Sequence, residues 1–130
     1  MKNFMIAFFS FFILDLAWFS LAVKSFNLKM LADIGRIKDG QFDVLYLPAI
    51  TTYFLMALAI SFFVAPKIES MDSWLQVAGV GAIMGIVVYG IYDFTNLAIL
   101  KKYPLAFAVA DMAWGTFAFT VVTLIVKKSN

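Results

Sequence analysis

Three carboxyl groups stand inside apolar runs of this sequence. Asp15, Asp93 and Asp111 interrupt stretches otherwise suited to hydrocarbon, whereas all ten Lys and Arg residues fall outside those stretches or at their edges. No basic side chain is therefore at hand to pair with them. A charged side chain at mid-bilayer costs from about 2.5 kcal/mol on insertion scales to much more in calculations, so each acid is expected to face the interior of a helix bundle and either hydrogen-bond or hold a proton. The chain has no Cys and no His, which removes disulfides, thiolate nucleophiles, imidazole bases and the commonest soft-metal ligands. Any chemistry falls to carboxylates, hydroxyls, amides and aromatics, and no cofactor or metal site is expected.

The elements that carry these acids follow from composition. Hydrophobic residues make up 64% of the 130, charged residues 14%, and the mean hydropathy is +0.94, far from the balance of a water-soluble domain. Four apolar segments, 4–23, 44–65, 75–99 and 105–126, are long enough to cross roughly 30 Å of hydrocarbon as helices of about 20 residues each. The expected fold is an all-α integral membrane four-helix bundle, forming a single membrane domain over 1–130. Asp15 and the length of the first run favour a retained span over a cleaved signal. Little sequence is left for a soluble domain, so any site is expected between helices or on short loops. The net charge of +2, with Lys and Arg flanking the spans, gives no footprint for nucleic acid.

The only sizeable loop, residues 24–43, places Phe26, Met30, Ile34 and Ile37 at helical spacing opposite Lys29, Asp33, Arg36 and Lys38. It reads as a short amphipathic helix on the bilayer surface, ending near Gly40, which joins two spans or serves as a lid. The other loops, "PKIESMDS" and "KKYP", are short, so consecutive helices pack antiparallel, with Pro104 in the first turn of the fourth. Loops one and three carry six basic residues against four on the opposite face, a preference for loops one and three being cytoplasmic.

Counting about 1.5 Å of rise per residue puts all three acids in one half of the membrane, toward loops one and three. Thr51, Thr52 and Tyr53 occupy the same half of the second span. A polar cavity opening toward those loops is the simplest common explanation. On the third span Gly81, Gly85, Tyr89, Tyr92 and Asn96 share an arc of about 80°, with Asp93 at its edge, taking roughly 100° per residue. Gly81 and Gly85 form a G-x-x-x-G spacing that permits close helix contact. The plain alternative is a packing face that becomes polar near the interface.

The first and last spans share a pattern: "DLAWFSLA" at 15–22 and "DMAWGTFA" at 111–118 both read D-x-A-W-x-S/T-x-A. An Asp and a Trp three residues apart share a helix face, so Asp15 and Asp111 are each expected beside an indole, Trp18 and Trp114, offering a donor and an apolar wall. The spans run in opposite directions, so the copies are inverted relative to the bilayer, as elements around transporter sites are.

"YGIYDFTNLAILKKYPLAFAVADMAWGT", residues 89–116, together with "LDLAWFSLAVK" in the first span, resembles the bacterial domain-of-unknown-function family 2177 of small predicted membrane proteins. The resemblance covers essentially the whole chain. It implies a four-helix protein of the bacterial inner membrane, with Tyr92, Asp93, Thr95, Asn96, Asp111, Trp114, Asp15 and Trp18 as signature positions. Where the family carries Gly-Trp before the proline, this chain has Lys102-Tyr103. The family name brings no activity with it.

Three functions compete at this point. The first is a small carrier or channel-like protein, homo-oligomeric because four helices enclose little volume, in which the acids bind a proton or cation and alternate with a small polar, amphipathic or lipid-like ligand. Small multidrug transporters are similar by analogy alone. The second is a membrane-embedded acid-base enzyme acting on a lipid or isoprenoid. The third is a structural or accessory subunit whose polar groups only hold helices together.

Overall fold

The computed structural model describes the backbone of residues 1–130 and every side chain except that of Ala22. In hydrocarbon each backbone N–H and C=O must be satisfied within its own segment, which makes apolar runs of this length helical. Helix α1 (Lys2–Ala17) continues into a π-helical turn, Trp18–Ala22; α2 (Lys24–Met30) follows at once. A small hairpin, β1 (Ile37–Lys38) and β2 (Gln41–Phe42), precedes α3 (Tyr46–Ala59), a second π-helical turn (Ile60–Val64) and α4 (Ala65–Ile68). The long helices α5 (Trp74–Ile99) and α6 (Leu105–Ser129) complete the chain. Four helical stretches are long and apolar enough to cross a membrane: Lys2–Leu21, Tyr46–Ile68, Trp74–Ile99 and Leu105–Ser129.

Loop one differs from the expected helix. Helix α2 stops at Met30, and Asp39 and Gly40 take φ of 50° and 73° at the tip of the hairpin. Asp-Gly with both residues in the left-handed region is the pair that a tight two-residue hairpin turn demands. Ile34 and Ile37 fit a helical period, but this local turn chemistry overrides it. Pro104 stands one position before α6, as its N-cap in extended conformation. The second π turn has a cause in sequence: Pro66 has no N–H to offer the Phe62 carbonyl, and its ring crowds that turn.

Helices α5 and α6 make the closest contact. A Cβ added at Gly81 would stand 2.9 Å from Thr120 Cα, and one at Gly85 would stand 2.7 Å from Thr116 Cα. At Gly115 on the facing helix a Cβ would overlap the Tyr89 ring. Three glycines thus let backbone meet backbone and let Tyr89 lie in a notch of α6, the kind of approach through which helices gain dispersion contacts in lipid. Phe11 of α1 meets Phe119 of α6 with ring centroids 4.7 Å apart. Ile60, Val64, Val77, Val122 and Val126 extend this core toward the loop-two end. A second, smaller cluster lies at the other end, where Phe26, Met30 and Leu31 pack on Tyr103 and Phe107. Both termini share one face, and the Lys2 ammonium donates to the Ser129 carbonyl.

Gly85→Val is expected to destabilise the fold by about 1–3 kcal/mol through overpacking against Thr116. Gly79→Ala, where the added carbon meets nothing within 4 Å, leaves stability unchanged or slightly raised. Unfolding of the two variants in detergent, followed by circular dichroism, measures the contrast.

Candidate functional site

Antiparallel packing of α1 on α6 brings the two D-x-A-W copies across from each other. Trp114 donates from Nε1 to Asp15 Oδ1 at 2.7 Å. The rings of Trp18 and Trp114 stack with centroids 4.4 Å apart and planes 1° from parallel. The acid of the first copy therefore takes its donor from the second copy's indole, not from its own Trp18 as spacing within one helix led us to expect. Among the described residues Trp18 makes no matching bond to Asp111, so the inverted pair is not symmetric in its bonding. Tyr53 of α3 lies beside Asp15, its ring edge-on to Phe12 at 5.7 Å.

Asp93 of α5 is fully buried, at 0% exposure. Tyr103, in the turn between α5 and α6, donates from its hydroxyl to Asp93 Oδ1 at 2.6 Å. Asp93 Oδ2 has no partner. Its neighbour is the carboxyl of Asp111. Two ionised carboxylates can only accept, so a bond between these acids requires a proton on one of them. Tyr89 lies within electrostatic reach of both groups, Asp15 and Tyr53 on one side and Asp93 and Asp111 on the other. Tyr92 and Asn96 extend the set toward Tyr103.

The open polar cavity expected from depth counting is not what forms. Asp15 is 5% exposed and Asp93 not at all, because Tyr89 and Trp114 fill the space between the helices. Helix α2 seals the loop end by laying Phe26, Met30 and Leu31 on Tyr103 and Phe107. An ion pair of exposed side chains, Lys102 to Asp33 at 3.2 Å, ties loop three to loop one. Burial, and the Asp93 carboxylate it donates to, push the pKa of Tyr103 up, so its hydroxyl stays a donor.

Two candidate positions stand apart. Thr95 is exposed, two residues and so about 200° around the helix from Asp93. Thr52 is exposed and bonds back to its own helix at Pro48 O, 3.1 Å away. It lines a shallow groove with Arg36, Asp43 and Pro48, apart from the acids. Thr51 does likewise, to Leu47 O at 2.8 Å. Tyr103, in contrast, joins the site although the sequence marks it only as a departure from the family's Gly-Trp before the proline. Its one signal was placement: a turn residue ten positions after Asp93, just before the next span, folds back over the preceding helix end.

No basic side chain is hydrogen-bonded or ion-paired to these acids among the described residues, and no group of three or more acids is arranged to hold a metal ion there. Four apolar spans around a cluster of two buried acids and one half-buried acid define a small polytopic membrane protein. The chain belongs to the family described as Predicted membrane protein (DUF2177), whose model matches residues 1–127. No significant match was found among curated proteins or among solved structures.

Tyr103→Phe leaves the buried Asp93 oxygen without its donor and should cost about 1–3 kcal/mol of stability. In an Asp93→Asn background the same change should cost less, because the bond it removes is already altered; a double-mutant cycle of thermal unfolding in detergent reads the coupling. Equal cost in both backgrounds would show that the phenol acts through packing alone.

Proposed function

We propose that the protein is a proton-coupled carrier of a small amphipathic substrate. The observation that supports this reading is the meeting of three carboxyl groups from three spans, around Tyr89 and with no cation beside them. Three negative charges in so apolar a place need neutralising. With no Lys or Arg and no metal cage, the neutralising species are protons, and a cationic or hydrogen-bonding substrate can take their place. Asp93 and Asp111 are the neighbouring pair on which a proton would sit; Asp15 is the acid bonded to the Trp114 indole. Asp15 and Asp93 are covered from both sides, as in an occluded state, while Asp111 is half-buried. The setting proposed is a homo-oligomer in a bacterial inner membrane; six basic residues on the face of loops one and three support that face being cytoplasmic.

The bonds Trp114 to Asp15 and Tyr103 to Asp93 also favour a second reading, in which the acids only fasten helices together at about 1 kcal/mol each. Two measurements separate the readings. Infrared spectroscopy of the protein in lipid nanodiscs should show a protonated carboxyl absorption that disappears at alkaline pH and is lost in Asp93→Asn or Asp111→Asn. In proteoliposomes a pH gradient should drive accumulation of tetraphenylphosphonium, used as a test amphiphile, and either variant should reduce it to background. If both variants fold and match the wild type in both assays, the carrier reading fails and the structural one stands.

A further inference from the structure

The hairpin of loop one carries two opposite charges that the fold leaves unused. Pairing of Ile37 with Phe42 and of Lys38 with Gln41 sets Arg36 across from Asp43 at the open end of the hairpin, where the Asp43 N–H donates to the Arg36 carbonyl at 2.8 Å. Residues opposed in this way send their side chains to one face of the ribbon. Among the described residues, however, the Arg36 guanidinium and the Asp43 carboxylate make no ion pair, with each other or with any other side chain. Both are exposed, and an exposed pair gains little by closing on itself. A ligand that offers both charges their partners therefore displaces little.

Both residues line the groove that runs from the hairpin onto the start of α3, a space of about 390 Å³ walled by Leu45, Pro48, Ala49 and Thr52. That volume is in the range of small-molecule sites. The Thr52 hydroxyl is turned back to the Pro48 carbonyl, so the lower part of the groove presents mainly hydrocarbon. Its level in the membrane follows from the helix it lies on. The crossing segment begins at Tyr46, which is 81% exposed, and tyrosines of this kind mark the level of the lipid headgroups. Arg36 and Asp43 precede that level in the hairpin, and Thr52 lies about 9 Å beyond Tyr46 along the helix. Two opposite charges at the headgroups, with an apolar wall beneath them, match the chemistry of a zwitterionic lipid.

We propose that this groove binds a phospholipid with an ethanolamine headgroup, its phosphate on Arg36, its ammonium on Asp43 and the start of an acyl chain against Leu45, Pro48 and Ala49. A guanidinium takes phosphate oxygens in a bidentate fork. A primary ammonium brings N–H donors, and the carboxylate accepts them. A choline headgroup has the same charges but no N–H to donate. A glycerol headgroup has the phosphate alone and leaves Asp43 without a cation. The carboxylate thus selects among lipids, while the guanidinium supplies affinity for all of them. The groove lies apart from Asp15, Asp93 and Asp111, and its occupancy does not depend on their carrying protons.

Native mass spectrometry of the full chain, released from detergent micelles and titrated with lipids of identical oleoyl chains, measures the preference. The ethanolamine lipid should bind at least about tenfold more tightly than the choline or glycerol lipid. Asp43→Asn should bring the ethanolamine and choline lipids to equal affinity. Arg36→Gln should weaken the ethanolamine lipid by about tenfold. Thr52→Phe, an exposed substitution that fills the deep end of the groove, should weaken it as well, and keeps the test decisive should changes in the hairpin disturb its fold. Equal affinity for the ethanolamine and choline lipids, an unchanged preference in Asp43→Asn, or undiminished binding in Arg36→Gln or Thr52→Phe overturns the proposal. Tighter binding of the glycerol lipid also overturns it, and marks the basic residues of loop one as an anionic-lipid surface.

Discussion

A carboxyl group enclosed by apolar helices must be given a donor, and in this chain no Lys or Arg gives it one. Indole and phenol do so instead. Trp114 supplies Asp15, and Tyr103 supplies Asp93. Each donor comes from a different segment than its acid, so each bond joins two parts of the chain: α6 to α1, and the loop-three turn back to the end of α5. Neutral donors satisfy the oxygens without cancelling their charge. That distinction underlies the rest of the arrangement, because charge that is bonded but not balanced leaves the site open to a proton or a cation.

The donors reach their acids only because the helices pack so closely. Gly81, Gly85 and Gly115 bring α5 and α6 together and seat Tyr89 in α6. Asp93 and Asp111 approach across that same contact. Helix α2 and the ion pair between Lys102 and Asp33 then close the loop end, although the pair is exposed and contributes little energy of its own. The apolar packing of Phe26, Met30 and Leu31 over Tyr103 is the stronger part of that closure.

The spans were legible in the sequence because hydrocarbon imposes one rule on every residue of a crossing helix, and length plus hydropathy capture it. Depth was legible in part: rise per residue alone placed Asp15, Asp93 and Asp111 in one half of the membrane, and the structure brings them near one another. Direction around the helix was harder. Thr95 belongs to the same motif as Asp93 but looks away from it, and Thr52 satisfies its own hydroxyl within its own helix. Loop one misled through coincidence, since Ile34 and Ile37 fit a helical period while Asp39-Gly40 had already set a hairpin turn. Tyr103 was invisible to counting because the path of a short turn is fixed by what it packs against, here Phe107 and α2.

The two π-helical turns divide the molecule mechanically. Both occur in the first two spans, at Trp18–Ala22 and Ile60–Val64, while α5 and α6 run unbroken over 26 and 25 residues. A π turn inserts an extra residue into a helix and is a common site of kinks. The chain is thus built as a rail of two unbroken helices with a pair of interrupted helices laid along it. Asp93 and Asp111 are fixed to the rail, and Asp15 rides on the interrupted pair, just before the first π turn. Any change of geometry at the two π turns leaves the spacing of the first two acids unchanged and varies their distance to the third, so the irregular half of the fold is tied to one carboxylate alone.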